Sequence, residues 1–349
     1  MKARNGLCRA ALHASLYIAC AIPVAASAQD WPSRSVTVVV PLGAGTASGV
    51  VARVVMDQVG KQVSQTFVIE NRPGAGGTTG ANAVAKAAPD GATILTYGAM
   101  AGSAALYSKL PYDPLEDFIP VTALGQQPLA VVVSPARGWK TLGDLVAEGK
   151  ARPGALNYST AGIGSASHFG AERMRVSAGF EAQQVAFRGM EAVTEIIAGR
   201  VDFSVQPFSN VLSLIKEGKL AALAISAGKR IGALPDVPTT VEAGLPPDSV
   251  YPFYTGVYVP AKTPANIVAR LHDEIAKALE APAVKERLTT LGVEPMPMTL
   301  EQFGKFYRDD VAANIALVKA AKIPTQKSRF VRLRMSFSEN RCPLFRDMR

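Results

Sequence analysis

The sequence predicts an α/β fold of two lobes, each built on a sheet flanked by helices. Three observations carry this expectation. Short β-branched runs alternate with runs of helical spacing along the chain. Several strand-to-helix junctions are rich in glycine and serine. The chain beyond an N-terminal leader, about 300 residues, exceeds what one hydrophobic core usually holds.

Val36–Val40 is wholly β-branched, which suits a strand buried on both faces, and Pro41 ends it. Residues 50–63 place Val51, Val54, Val55 and Val59 at helical spacing. A short strand is expected over 67–70, a helix over 82–88, and a Pro-Asp-Gly turn before a strand at Thr93–Tyr97. This alternation predicts right-handed crossovers and a parallel sheet. Leu129–Val133 reads as the next buried strand and 141–150 as a helix. After a serine-rich turn, helices are expected over 171–177, 192–198 and 211–216, with strands over 181–186, 201–205 and 220–226. Residues 229–246 are proline-rich and loop-like. A strand over 257–260 precedes an amphipathic helix over 264–279, with Thr263 as its cap and Ile267, Leu271, Ile275 and Leu279 repeating every four. A last helix covers 301–320.

Residues 1–28 read as a secretory signal. Lys2, Arg4 and Arg9 precede a largely apolar run, and Ala26-Ser27-Ala28 fits the small-x-small cleavage pattern. The expected location is therefore the periplasm. Cys20 lacks a good lipobox, and no later segment offers 18 uninterrupted apolar residues. The net charge of +9 is concentrated at the ends. The leader holds three basic residues, and 327–349 holds seven with two acids. The body, 29–326, keeps 27 basic and 26 acidic residues. That balance gives no basic face and excludes nucleic acid as a partner. After cleavage only Cys342 remains, so neither an internal disulfide nor a cysteine metal site is expected. The tail 327–349 has neither cap nor period. It reads as a disordered or non-native end, with a basic membrane-binding arm as the alternative.

The richest stretch for chemistry is LNYSTAGIGSASHFG, residues 156–170. Small residues let a main chain approach a ligand, and a helix start presents unpaired N–H groups that attract carboxylate or phosphate. Thr160, Gly164, Ser165, Ala166, Ser167 and His168 form one candidate cradle. His168 is either a general base or, preferably, a polar anchor of the helix start. Gly43, Ala44, Gly45, Thr46 and Ser48 form the opposing cradle, or else a tight turn capped by Ser48. Residues 71–80 shape a cleft wall or simply pack. Arg188 is read as a bidentate partner for a carboxylate, or as a plain exposed arginine. Asp202 is read as structural. No His, Asp and Glu cluster has metal spacing, and no cofactor is expected.

In their order and spacing, several landmarks resemble the Bug family, the periplasmic receptors of tripartite tricarboxylate transporters. They are VVVPLGAG with AR (38–53), VIENRPGAGGTTGANAVAKAAPDG (68–91), LNYSTAGIGSASHFGAE (156–172), VAFRG (185–189), AGRVDF (198–203), LAISAGKR with LPDVPTTVEAGLP (223–246) and VPAKTP (259–264). The resemblance spans about 31–324. It implies a two-lobed, type II periplasmic-binding fold of two Rossmann-like domains joined by two crossover strands, near Leu129–Val133 and 223–226. Residues 29–128 and 229–326 then make one domain and 129–228 the other. The resemblance implies a monomeric receptor, not an enzyme, that delivers a small carboxylate to membrane subunits, with Gln206 facing the cleft. The family usually has aspartate at Gly49, tryptophan at Tyr254 and Tyr-Lys-Gly at Phe187-Arg188-Gly189. Aspartate at 49 is expected to disfavour polycarboxylates.

Two rival readings of the residues stand beside this one. Gly43 and Gly45 after a strand, with Glu70 ending the second strand, imitate a nucleotide-binding oxidoreductase. Pro41 and the absence of a third glycine count against it. A hydrolase would use Ser165, Ser167 and His168, but no G-x-S-x-G elbow exists.

Overall fold

A computed structural model of the protein describes residues 31–320, 323 and 325–327. The leader and nearly all of the tail lie outside these residues. The fold is mixed α/β with two five-stranded sheets. The first contains β1 (Val36–Val40), β2 (Phe67–Asn71), β3 (Thr93–Tyr97), β5 (Phe118–Gln127) and β11 (Phe253–Pro260), in the order β2-β1-β3-β11-β5. The second contains β6 (Leu129–Val133), β7 (Leu156–Thr160), β8 (Ala182–Ala186), β9 (Phe203–Pro207) and β10 (Ala221–Ser226), in the order β10-β6-β9-β7-β8. A short parallel pair joins β4 (Tyr107–Lys109) to β12 (Gln326–Lys327).

Each sheet is mixed, which corrects the expectation of purely parallel pairing. β1 is parallel to β2 and β3, whereas β11 runs antiparallel to β3 and β5. Likewise β7 is parallel to β8 and β9, whereas β6 runs antiparallel to β9 and β10. The reason is the path of the chain. β5 leads into β6 through Pro128 alone, and no helix intervenes to bring the chain back to the starting edge. The return passage links β10 to β11 through 227–252.

The helices follow from the same residues. α1 (Ala47–Val63), α2 (Thr78–Ala85) and α3 (Met100–Leu106) belong to the first sheet. α4 (Leu142–Ala151), α5 (Ala166–Ala178), α6 (Glu191–Ile197) and α7 (Phe208–Lys216) surround the second. α8 (Ala265–Glu280), α9 (Pro282–Thr290) and α10 (Leu300–Ala320) return to the first. α4 opens with a capping box. Asp144 N donates to Thr141 Oγ1 at 3.1 Å, and Thr141 N donates to Asp144 Oδ2 at 2.9 Å. Thr263 does not cap α8. The helix starts one residue later than a Thr263 cap requires, and the Thr263 hydroxyl donates to Pro260 O at 2.7 Å.

Both sheets are covered on two faces, so their inner strands are apolar throughout. One side of the first sheet packs Val36, Val38 and Val257 against Val55, Leu271 and Ile275. The other side is aromatic, with Tyr97, Tyr254, Tyr258, Phe303 and Tyr307 between the sheet, α3 and α10. Among the described residues no helix is long and apolar enough to cross a membrane.

Candidate functional site

Three strands end at helix starts that converge between the sheets: β1 into α1, β7 into α5, and β9 into α7. They wall a cavity of ≈ 20 Å³. From the first lobe Thr46, Ala47 and Ser48 line it, with Leu42, Ala99 and Phe253 beside them. The second lobe contributes Ala161, Ser165, Ala166, Ser167, Gln206 and Asn210. Among the described residues no charged side chain lines the wall.

The first-lobe helix start has no side-chain cap. Thr46 sits at the cap of α1 in extended conformation but makes no capping bond, because its Oγ1 donates to Gly43 O at 3.0 Å. The N–H groups of Ala47 and Ser48 therefore keep the free first-turn character of a helix start. Ser48 Oγ is buried and has no partner among the described residues.

The second-lobe start is braced. Ser165 caps α5 and accepts from His168 N at 3.4 Å. Ser165 Oγ and Ser167 Oγ lie 3.0 Å apart, and Ser167 Oγ accepts from Ala161 N at 2.9 Å. These bonds fix the loop while leaving the N–H groups of Ala166 and Ser167 without intrahelical partners. Gly164 N donates to His168 Nδ1 at 3.2 Å, so Nδ1 is an acceptor and the neutral ring carries its proton on Nε2. Burial lowers the His168 pKa to about 4, with Arg175 reinforcing and Glu172 opposing the shift. His168 is neutral at pH 7, and its Nδ1 is engaged with Gly164 N, which anchors the helix start.

The candidate residues divide by position. Thr46, Ser48, Ser165, Ala166, Ser167 and Gln206 line the cavity. Gly43, Ala44, Gly45, Thr160, Gly164, His168 and Arg188 do not. A Cβ on Gly43 would stand 3.8 Å from Gly189 Cα, and one on Gly45 would stand 3.4 Å from the Met190 side chain. This turn is thus a lobe-to-lobe contact. Thr160 Oγ1 accepts from Gln184 Nε2 at 2.9 Å. Arg188 is exposed. Asp202 pairs with Arg137 and accepts from Asn157 N at 2.7 Å, which is structural work. The nucleotide-binding reading finds no support, because the Gly43–Gly45 turn is taken up by contacts with Gly189 and Met190 and does not line the cavity.

Sequence reasoning missed Leu42, Ala47, Ala99, Ala161, Pro207, Asn210 and Phe253. Asn210 alone offered a signal, being polar in the first turn of a helix that follows a buried strand. Among the described residues no group of His, Cys, Asp and Glu could hold a metal ion. A larger concavity of ≈ 1010 Å³ lies between α1, β2 and α9. It is an open trough on one lobe, whereas the small cavity is walled by both, so the cavity is the candidate site.

Gly49 lies off the cavity wall. A Cβ there would meet Arg53 Nη1 at 3.3 Å, Thr46 Oγ1 at 3.7 Å and Val40. Arg53 meanwhile donates to Gly49 O and to Asn71 Oδ1. An aspartate at 49 would therefore face Arg53 one turn on, not the ligand. Gly49→Asp is expected to raise stability by about 1 kcal/mol, from helix propensity, the helix start and the ion pair together. The ranking of bound acids should stay unchanged. Thermal melts and competition binding check this, and a reordered ligand preference would place residue 49 in the pocket after all.

The sequence profile of the family described as "Tripartite tricarboxylate transporter family receptor" matches residues 51–323. Protein BugT of Bordetella pertussis is 33% identical over 301 residues, covering 85% of this chain and 92% of BugT. Among solved structures, MatC from Rhodopseudomonas palustris with bound malate is 33% identical with a TM-score of 0.78, covering 82% of this chain and 100% of that one. A second R. palustris protein, with adipate, is 29% identical with a TM-score of 0.80, covering 84% and 99%.

Proposed function

The chain belongs to the Bug family of tripartite tricarboxylate transporter receptors, and from that membership we propose that it captures a small organic carboxylate between its lobes. It is a solute-binding protein, not an enzyme. The observation that carries the carboxylate reading is the opposition of two helix starts, at Ala47 and Ala166, across a cavity without charged side chains. Helix starts attract negative charge, and free N–H groups give it directional bonds. We assign 29–128 with 229–326 to one lobe and 129–228 to the other. Residues 1–28 act as a cleaved export signal, the mature protein works as a periplasmic monomer, and membrane subunits of a tripartite transporter receive the ligand.

The test is a panel of organic acids, headed by malate and adipate, in thermal-shift and calorimetric titration. An acid at about 100 times its dissociation constant should add roughly 2.7 kcal/mol of stability. If no acid in a broad panel gives a shift or a heat, the carboxylate reading is wrong.

A further inference from the structure

Three helix starts meet at the cavity, but they do not offer the same chemistry. At α7 the first two N–H groups are already spent. Phe208 N donates to Pro128 O at 3.1 Å, and Ser209 N donates to Gln127 Oε1 at 2.8 Å. What α7 brings to the wall is instead the amide of Asn210, whose Oδ1 is buried without a partner among the described residues. Leaving a buried acceptor unpaired is costly, so this part of the wall calls for a hydrogen-bond donor.

The amide one turn before has its direction fixed. Ser204 Oγ gives its proton to Ser159 O at 2.6 Å, so it can only accept from Gln206 Nε2, which lies 2.8 Å away. Gln206 lines the cavity and is 1% exposed, and its Oε1 is thereby an acceptor. Across the cavity stands Ser48, 1% exposed, with its Oγ unpartnered among the described residues. A further carboxylate at this end would set its lone pairs against Gln206 Oε1, with no charged side chain on the wall to offset them. A hydroxyl suits the place, because it both gives and takes a hydrogen bond. It can therefore pair with either end of the Asn210 amide and with a serine as well.

We propose that Asn210 is a specificity-determining residue, which together with Gln206 selects, among small carboxylates, those that carry a hydroxyl group. The inference deepens the carboxylate-capture reading of the same cavity and rests on it. The work is divided by chemistry. The helix starts at Ala47 and Ala166 hold the acid by main-chain N–H groups, and the side chains at the β9–α7 junction read the hydroxyl. An acid without the hydroxyl buries the same amides with nothing to pair them, and sites of that build reject such analogues.

The experiment is calorimetric titration with pairs of acids that differ by one hydroxyl: lactate and propionate, malate and succinate, 2-hydroxyglutarate and glutarate. In whichever pair binds, the parent protein should prefer the hydroxy acid by at least about tenfold. Asn210→Leu should bring the two dissociation constants of that pair close together, chiefly by weakening the hydroxy acid. A merely structural role for Asn210 would instead weaken both acids alike and leave their ratio unchanged. If Asn210→Leu does not melt cooperatively, Asn210→Ala, which adds no bulk, carries the test. Equal affinities within every pair in the parent, or a preference that survives loss of the Asn210 amide, would overturn the proposal. Acids that bind without regard to the hydroxyl leave the carboxylate reading standing, whereas a protein that binds no acid of any kind overturns both.

Discussion

Ala166→Trp is expected to abolish carboxylate binding while leaving a cooperative, folded protein. Ala166 is the first residue of α5, 8% exposed, and lies on the cavity wall. An indole cannot fit a space of ≈ 20 Å³, so the side chain must prop the lobes apart. Ala166 lies at the edge of the second-sheet core, so some overpacking is expected, and the cost in stability should stay within about 3 kcal/mol. Ser165 is a poorer choice, since its replacement also removes a helix cap worth about 1 kcal/mol. Calorimetric titration with whichever acid stabilises the parent checks the outcome. An unchanged dissociation constant would mean that the ligand binds elsewhere.

Acidification should destabilise the protein through His168, and His168→Gln should remove that part of the loss. Burial lowers the folded-state pKa of His168 to about 4, whereas an unfolded histidine titrates near pH 6.5. As pH falls through about 6.5, the unfolded chain takes up the proton first and gains stability. The folded state keeps its full advantage above about pH 6.5 and loses it progressively down to about pH 4. The limiting loss is on the order of 3 kcal/mol. A protonated ring would also surrender the Nδ1 acceptor that Gly164 N uses and place a positive charge at a helix start. Burial raises the Asp310 pKa, so that residue works in the opposite direction. The informative quantity is therefore the difference between the melting curves of parent and variant from pH 7 to 4.5. Equal slopes would show that His168 does not govern the acid response.

Strands buried on both faces were legible because water leaves no polar mark on them. Val36–Val40, Thr93–Tyr97 and Leu129–Val133 fall where β-branched runs predict them. β7 reads as part of a turn because LNYST looks polar. Ser159 is nevertheless fully buried, and its hydroxyl donates to Ala192 O at 2.8 Å, so hydrogen bonding replaces hydrophobicity in that strand. β5 escaped because Pro120 and Gly125 break its pattern, and irregular pairing with β11 accommodates them. α3, with MAGSAAL, has side chains too small to show a period.

The serine and glycine turns were legible as helix entries, yet their division of labour was not. Which residues touch the cavity and which touch the other lobe depends on how the lobes meet. No local pattern encodes that for Gly43 or Gly45. Phe253 and Ala99 reach the wall from distant parts of the chain and carry no chemical signature.

The uncharged cavity wall also bears on how such a receptor diversifies. When the main chain of two helix starts provides for the negative charge, the side chains around it are relieved of that duty. Leu42, Ala99, Gln206, Asn210 and Phe253 can then change by ordinary mutation without disturbing the common grip on the acid. On the proposed reading, one scaffold can be retuned, position by position, to acids that differ in length or substituents, because a grip made by the backbone is not exposed to substitution.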